Sequence, residues 1–130
     1  MLQNVFFIDD DKPTTVINER LAKRSKLFKH IKIFNLSEAA LDYLKCNKNN
    51  IDLLPCMIFL DINMPAFTGW KFLEEFRKIN FPKKIHIIML STADFVDPQL
   101  KEEFKGMIHS YENKPLSTEK IIMHTKAIHS

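Results

Sequence analysis

Four short apolar runs lead into groups that could do chemistry. "NVFFI" (residues 4–8) is followed by Asp9, Asp10 and Asp11, and "CMIFL" (56–60) by Asp61. "IHIIML" (85–90) is followed by Ser91 and Thr92, and the weaker "MIHSY" (107–111) soon reaches Asn113, Lys114 and Pro115. A charge at the exit of a buried run is costly to desolvate unless something there uses it. Gathered in one spot, Asp9, Asp10 and Asp61 would repel one another and call for a cation. An all-oxygen ligand set with open positions suits Mg²⁺, which keeps several waters and often meets a phosphate as well. Lys114 would add a compact donor for a phosphoryl oxygen, and Ser91 a hydroxyl. Together these groups describe phosphoryl transfer, in which an aspartate can itself be the nucleophile and form an aspartyl phosphate.

Bringing them together needs a particular frame. A fifth run, "IKIF" (31–34), completes a series recurring at about 25-residue intervals. Runs one, three and four are apolar nearly throughout, as expected of strands covered on both faces in a parallel sheet. Helical patterns lie between them. Pro13 suits a first turn, with Val16, Ile17, Leu21 and Ala22 as the apolar face. Ser37 and Glu38 open a capped helix over "AALDYL", and "GWKFLEEFRKI" carries Trp70, Phe72, Leu73, Phe76 and Ile79 at helical spacing. Asp97 and Pro98 open a fourth helix, and Ser117 caps the last. The order βαβαβαβαβα with right-handed crossovers predicts an α/β fold, a doubly wound five-stranded parallel sheet with helices on both faces. Ligands in such folds bind outside the carboxyl ends of the strands. Four of the five exits would then converge on one rim, the second, at Asn35, being bland.

The bulk properties exclude other classes. The 130 residues suit one domain spanning 1–130, and 45% hydrophobic content allows one sizeable core. Net charge is +3, from 19 Lys+Arg against 16 Asp+Glu, and the basic residues are interspersed with acids, which argues against nucleic acid. The densest basic run, Lys23–Lys32, reads as a solvated helix end leading into a strand. Cys46 and Cys56 form no CxxC motif, and Cys56 reads as a reduced core thiol. No apolar stretch approaches a membrane span and no signal peptide opens the chain, so a cytoplasmic protein is expected. With Gly69 and Gly106 the only glycines, no Gly-rich dinucleotide loop exists. His30, His86, His109, His124 and His129 read as surface or strand residues without a role.

The pattern "FFIDD…LDINMP…G…LSTA…NKP" resembles the receiver domain of two-component response regulators, across the whole chain and in family order. The resemblance implies a flavodoxin-like sheet of strand order 2-1-3-4-5. It makes Asp61 the phospho-acceptor and Asp9 and Asp10 the acidic pair holding Mg²⁺, with Asp10 the direct ligand. Asn63 would offer its backbone carbonyl to the metal and turn its side chain to the site. Pro65 and Gly69 would shape the turn into the third helix. Ser91 takes the switch hydroxyl's place, Tyr111 the switch aromatic's, and Lys114 the pocket lysine's, with a cis Lys114–Pro115 bond. Asp11 departs from the pattern and reads as a solvated first-turn acid. Thr92 replaces a smaller residue and narrows the way to Asp61. Ala93 stands where longer polar residues tune phosphate lifetime.

The expected function is a stand-alone, phosphorylation-controlled protein-binding switch or relay carrier. Its donor is a sensor histidine kinase or histidine phosphotransfer protein, its reader a downstream protein, and its state a monomer or weak dimer. It catalyses only its own phosphorylation and dephosphorylation. Two alternatives stand beside it. A haloacid-dehalogenase-type hydrolase would read Asp9 to Asp11 as D-x-D but lacks a later acidic pair. A degenerate receiver would bind its partner without phosphorylation.

Overall fold

A computed structural model describes residues 2–64, 68–92 and 97–129. The strands are β1 (Leu2–Ile8), β2 (Phe28–Phe34), β3 (Met57–Asp61), β4 (His86–Ser91) and β5 (Ile108–Asn113). The helices are α1 (Lys12–Ser25), α2 (Ser37–Cys46), α3 (Gly69–Phe76), α4 (Pro98–Glu103) and α5 (Thr118–His129), with a 3₁₀ turn at Ile51–Leu53. All strand pairings are parallel, in the order β2-β1-β3-β4-β5, so the expected α/β architecture and strand order hold. Every residue of β3 is buried, as a strand covered on both faces requires.

Alternation along the strands divides the core in two. Phe6, Ile8, Ile58, Leu60, Ile87 and Met89 pack with residues of α2 and α3 and with Phe104 at the end of α4. Val5, Phe7, Met57, Phe59, Ile88 and Leu90 pack on the other face with Ala22 of α1 and Ile121 of α5. The Phe7 and Phe59 rings stack there at 5.0 Å. Each such fully buried side chain contributes about 1.5–3 kcal/mol against exposure.

Helix ends follow local chemistry. Asp11 caps α1, its Oδ2 accepting from the Thr14 N–H at 3.0 Å and from the Thr14 hydroxyl. Asp97 caps α4 by accepting from Gln99 N at 2.9 Å, with Pro98 first in the helix, and Ser117 Oγ accepts from Lys120 N at 3.1 Å to start α5. Thr68 caps α3 in the same way through Lys71 N.

Four expectations need correction. The buried face of α1 is Thr15, Asn18 and Ala22, whereas Val16 and Ile17 stand 47% and 54% exposed. Thr15 can be buried because its hydroxyl donates to Lys12 O and accepts from Asn35 Nδ2, a local satisfaction that no apolar pattern shows. Ser37 is the first residue of α2 rather than a side-chain cap. The flanking position is Leu36, which makes no side-chain bond, and the Ser37 hydroxyl donates to Met64 Sδ at 3.2 Å. Cys56 is half-buried at the edge of β3, its Sγ 3.4 Å from Lys83 Nζ, and is not a core thiol. His124 lies on α5, not on a strand or the surface. It is buried edge-on to Phe59 and hydrogen-bonds Glu112 at 3.0 Å.

Candidate functional site

The carboxyl ends of β1, β3, β4 and β5 meet where the sequence places its acids, hydroxyl and lysine. Backbone bonds continue the ladder past the strand ends and fix the rim. Ile62 N donates to Leu90 O at 2.9 Å, Lys114 N to Ser91 O at 2.8 Å, and Asp9 N to Phe34 O at 3.1 Å. One carboxylate oxygen each from Asp9, Asp10 and Asp61 lies within 4.8 Å of the other two, Asp9 and Asp61 being buried and Asp10 exposed. The Lys114 ammonium reaches in from beyond β5, 2.7 Å from Asp9 Oδ2 and 3.3 Å from Asp61 Oδ1. The Lys114–Pro115 bond is cis, as the resemblance implies.

Backbone donors set the acids. Asp9 Oδ1 accepts from Asp11 N and Asp61 Oδ1 from Asn63 N, each at 3.0 Å. Burial pushes the Asp61 carboxyl above its ordinary range and the charge of Asp9 adds to this, while the Asn63 N–H and Lys114 pull the other way. For Lys114, burial disfavours the ammonium. The hydrogen bond to Asp9 and the charge of Asp61 outweigh burial and hold the group above the ordinary lysine range. Two buried carboxyls and an exposed third, all offering oxygen and close enough to share one ion, fit a hard divalent cation such as Mg²⁺.

Gly69 shows how closely α3 approaches the site. A Cβ there would stand 2.7 Å from the Asp61 carbonyl oxygen and 3.0 Å from Ile62 Cα, so only glycine lets the helix start against β3. Its N–H donates to Ile62 O at 3.1 Å. Pro65, the other residue expected to shape this turn, lies outside the described residues, as does Ala93. Asn63 does not turn its amide nitrogen to the carboxylates; it donates to Thr92 Oγ1 at 3.4 Å, so these two residues span the mouth. Asp11 faces α1 as its cap, which separates it from the pocket acids.

Ser91 ends β4 as a buried residue, and Tyr111 lies on the neighbouring strand, opposite Met89. The Tyr111 hydroxyl is buried with no hydrogen-bond partner among the described residues, and burial raises its pKa. The Lys101 ammonium sits 5.1 Å above its ring.

Three supporting residues were not legible in the sequence. Asn35, the bland exit, donates to the Asp9 carbonyl at 2.9 Å. Lys120 of α5 reaches back to the carbonyls of Asn113 at 3.1 Å and Pro115 at 3.0 Å, bracketing Lys114. Glu112 takes Lys120 at 3.4 Å and His124 at 3.0 Å. Only the lysine at i+5 from Pro115 could have hinted at this clamp.

The family model for the response regulator receiver domain matches residues 5–126. The two-component response regulator ARR12 of Arabidopsis thaliana is 32% identical over 120 residues, 90% of this chain but 18% of that protein. The probable methanogenesis regulatory protein FilR2 of Methanothrix harundinacea is 26% identical over 115 residues, 88% of this chain and 74% of that one. The chain thus spans under a fifth of its plant relative. In fold, a two-component response regulator from Cytophaga hutchinsonii superposes with a TM-score of 0.82 at 23% identity, covering 98% of this chain and 96% of that one. The chemotaxis protein CheY4 of Vibrio cholerae gives 0.77 at 20% identity, covering 98% and 99%.

Proposed function

The chain belongs to the response regulator receiver domain family, and from that premise we propose that it is a phosphoryl acceptor whose nucleophile is Asp61. The observation that carries this reading is the buried Asp61 carboxyl at the end of β3, with the Lys114 ammonium 3.3 Å away and Asp9 and Asp10 beside it. In the proposed step an Asp61 oxygen attacks the phosphorus of a phosphohistidine. The P–N bond breaks, the imidazole leaves and takes up a proton, and an aspartyl phosphate remains. A magnesium ion held by Asp9, Asp10, Asp61 and the Asn63 carbonyl would neutralise charge on the transferring oxygens. Lys114 holds a phosphoryl oxygen, and the fixed strand ends keep the groups in place.

The donor is a sensor histidine kinase or a histidine phosphotransfer protein, and the reader a downstream protein. The domain works in the cytoplasm as a monomer or weak dimer, as one receiver unit over 1–130. No helix among the described residues is long and apolar enough to cross a membrane. In the switch, Ser91 donates to the new phosphoryl oxygens, and Tyr111 repacks as a local event biasing a two-state element. The hydrolase reading loses support because Asp11, its second D-x-D acid, caps α1. The unphosphorylated-receiver reading leaves the buried Asp61–Lys114–Asp9 cluster without a use.

Intact mass after acetyl phosphate and Mg²⁺ tests the reading. The parent should gain one phosphoryl group, and Asp61→Asn none. Asp10→Asn should label slowly and Asp11→Asn almost normally, while Ser91→Ala should keep the label on Asp61. A phosphoryl group retained in Asp61→Asn would refute the acceptor. Equal losses from the Asp10 and Asp11 variants would refute the metal assignment.

A further inference from the structure

The Lys114 ammonium is carried on a short connection. β5 ends at Asn113 and α5 begins at Thr118, so residues 114–117 belong to neither element. Lys114 N donates to Ser91 O at 2.8 Å, which spends the one N–H its own backbone has. Pro115, the next residue, has no N–H to give.

Lys120 tethers this connection from the helix side. It is the third residue of α5, and helical side chains lean toward the helix N-terminus, which carries its ammonium back over the connection. Its Nζ lies 3.1 Å from Asn113 O, 3.0 Å from Pro115 O and 3.4 Å from Glu112 Oε2. An ammonium has three N–H donors, and these three oxygens, on both sides of Lys114, match them in number. A cation in a first turn opposes the helix dipole, so helix stability does not favour a lysine at this place. The oxygens around Lys114 compensate it there.

Glu112 holds the ammonium in turn. In the sheet it stands opposite Leu90, which packs on the α1 and α5 face. Its Oε2 also accepts from Asn113 N at 2.9 Å, and its Oε1 meets His124 Nε2 at 3.0 Å. Burial works against charge on Glu112, but His124, the Asn113 N–H and Lys120 outweigh it and hold the carboxyl below its ordinary range. His124 is buried edge-on to Phe59, so the far end of the network is set in the core.

We propose that Lys120 is a positioning residue for phosphoryl transfer. Anchored by Glu112 and His124, it fixes the two carbonyls that flank Lys114 and so sets where the Lys114 ammonium stands between Asp9 and Asp61. This role rests on the phosphoryl-acceptor reading of Asp61, and its effect passes through Lys114.

The test is a double-variant cycle on acetyl-phosphate labelling of Asp61 with Mg²⁺. Lys120→Met should slow labelling about tenfold, within the ~10²-fold that a 1 Å misplacement can cost. In a Lys114→Met background the same change should alter the already lowered rate less than about twofold, because no ammonium is left to place. The Lys120 side chain is 33% exposed, so thermal melts should show the variant folded. Labelling of Lys120→Met at the parent rate would overturn the proposal, and so would equal slowing in the two backgrounds. The ¹³Cε resonance of Lys114 in the unphosphorylated protein gives a readout that needs no phosphate. It should move in Lys120→Met while the amides of β2 stay in place, and an unmoved resonance also overturns the proposal. A parent that takes up no phosphoryl group would instead overturn the acceptor reading, with the Lys114 resonance still deciding whether Lys120 places that side chain.

Discussion

Asp61 carries a cost that its proposed use would explain. Burial and the nearby Asp9 charge raise its pKa, so the folded protein binds a proton there more tightly than the unfolded chain does. This group's stabilising contribution is therefore full at low pH. It fades as pH rises through the ordinary carboxylate range up to the raised value. Without metal, the neutral side chain of Asp61→Asn is expected to melt above the parent at pH 7. The gap should narrow toward pH 4, and a change of 1 kcal/mol corresponds to about 4 °C in a domain of this size. Thermal melts in chelator across that range check it, and a variant melting below the parent at pH 7 contradicts it. The pocket acids and Lys114 were legible in the sequence because each stands at a strand exit. Asn35, Lys120 and His124 were not. Their roles arise from tertiary contacts, and their residue types are common on any surface.

Among the elements, α3 has the least freedom. It begins with a glycine pressed on the carbonyl of Asp61 itself, and the two atoms an added Cβ would meet first, Asp61 O and Ile62 Cα, are backbone and cannot give way as a flexible side chain could. Gly69→Ala is expected to cost about 1–3 kcal/mol, the range for overpacking, and to slow labelling of Asp61 because it displaces that residue's backbone. Urea denaturation and labelling kinetics measure both, and a variant matching the parent in each would show that α3 can slide. The order of elements was legible from the apolar runs, whose length and polar punctuation separate strand from helix. The buried face of α1 was not, because its polar residues find partners on other elements while its largest apolar ones face out.

On the scale of the molecule, those outward residues sit beside the chemistry. Val16 and Ile17 are exposed on α1, and Ile17 shares a small groove with Leu90, Lys114 and Pro115 at the edge of the rim. On the proposed reading, a protein donor that brings a histidine to Asp61 would dock over this surface, whereas acetyl phosphate need not. Ile17→Glu should slow transfer from any phosphodonor protein that labels the parent, by tenfold or more (~1.4 kcal/mol), with acetyl-phosphate labelling unchanged. Equal slowing of both would place Ile17 in the chemistry rather than in docking. The contact between Lys114 and Asp9 joins residues 105 positions apart. It exists only once β5 has closed the sheet. A chain still emerging from the ribosome holds Asp61 before it holds Lys114, the lysine that in the proposed function supports transfer to Asp61. On the proposed reading, competence to receive a signal would be a late event in the life of the polypeptide, and a half-made copy would draw no phosphate away from finished ones.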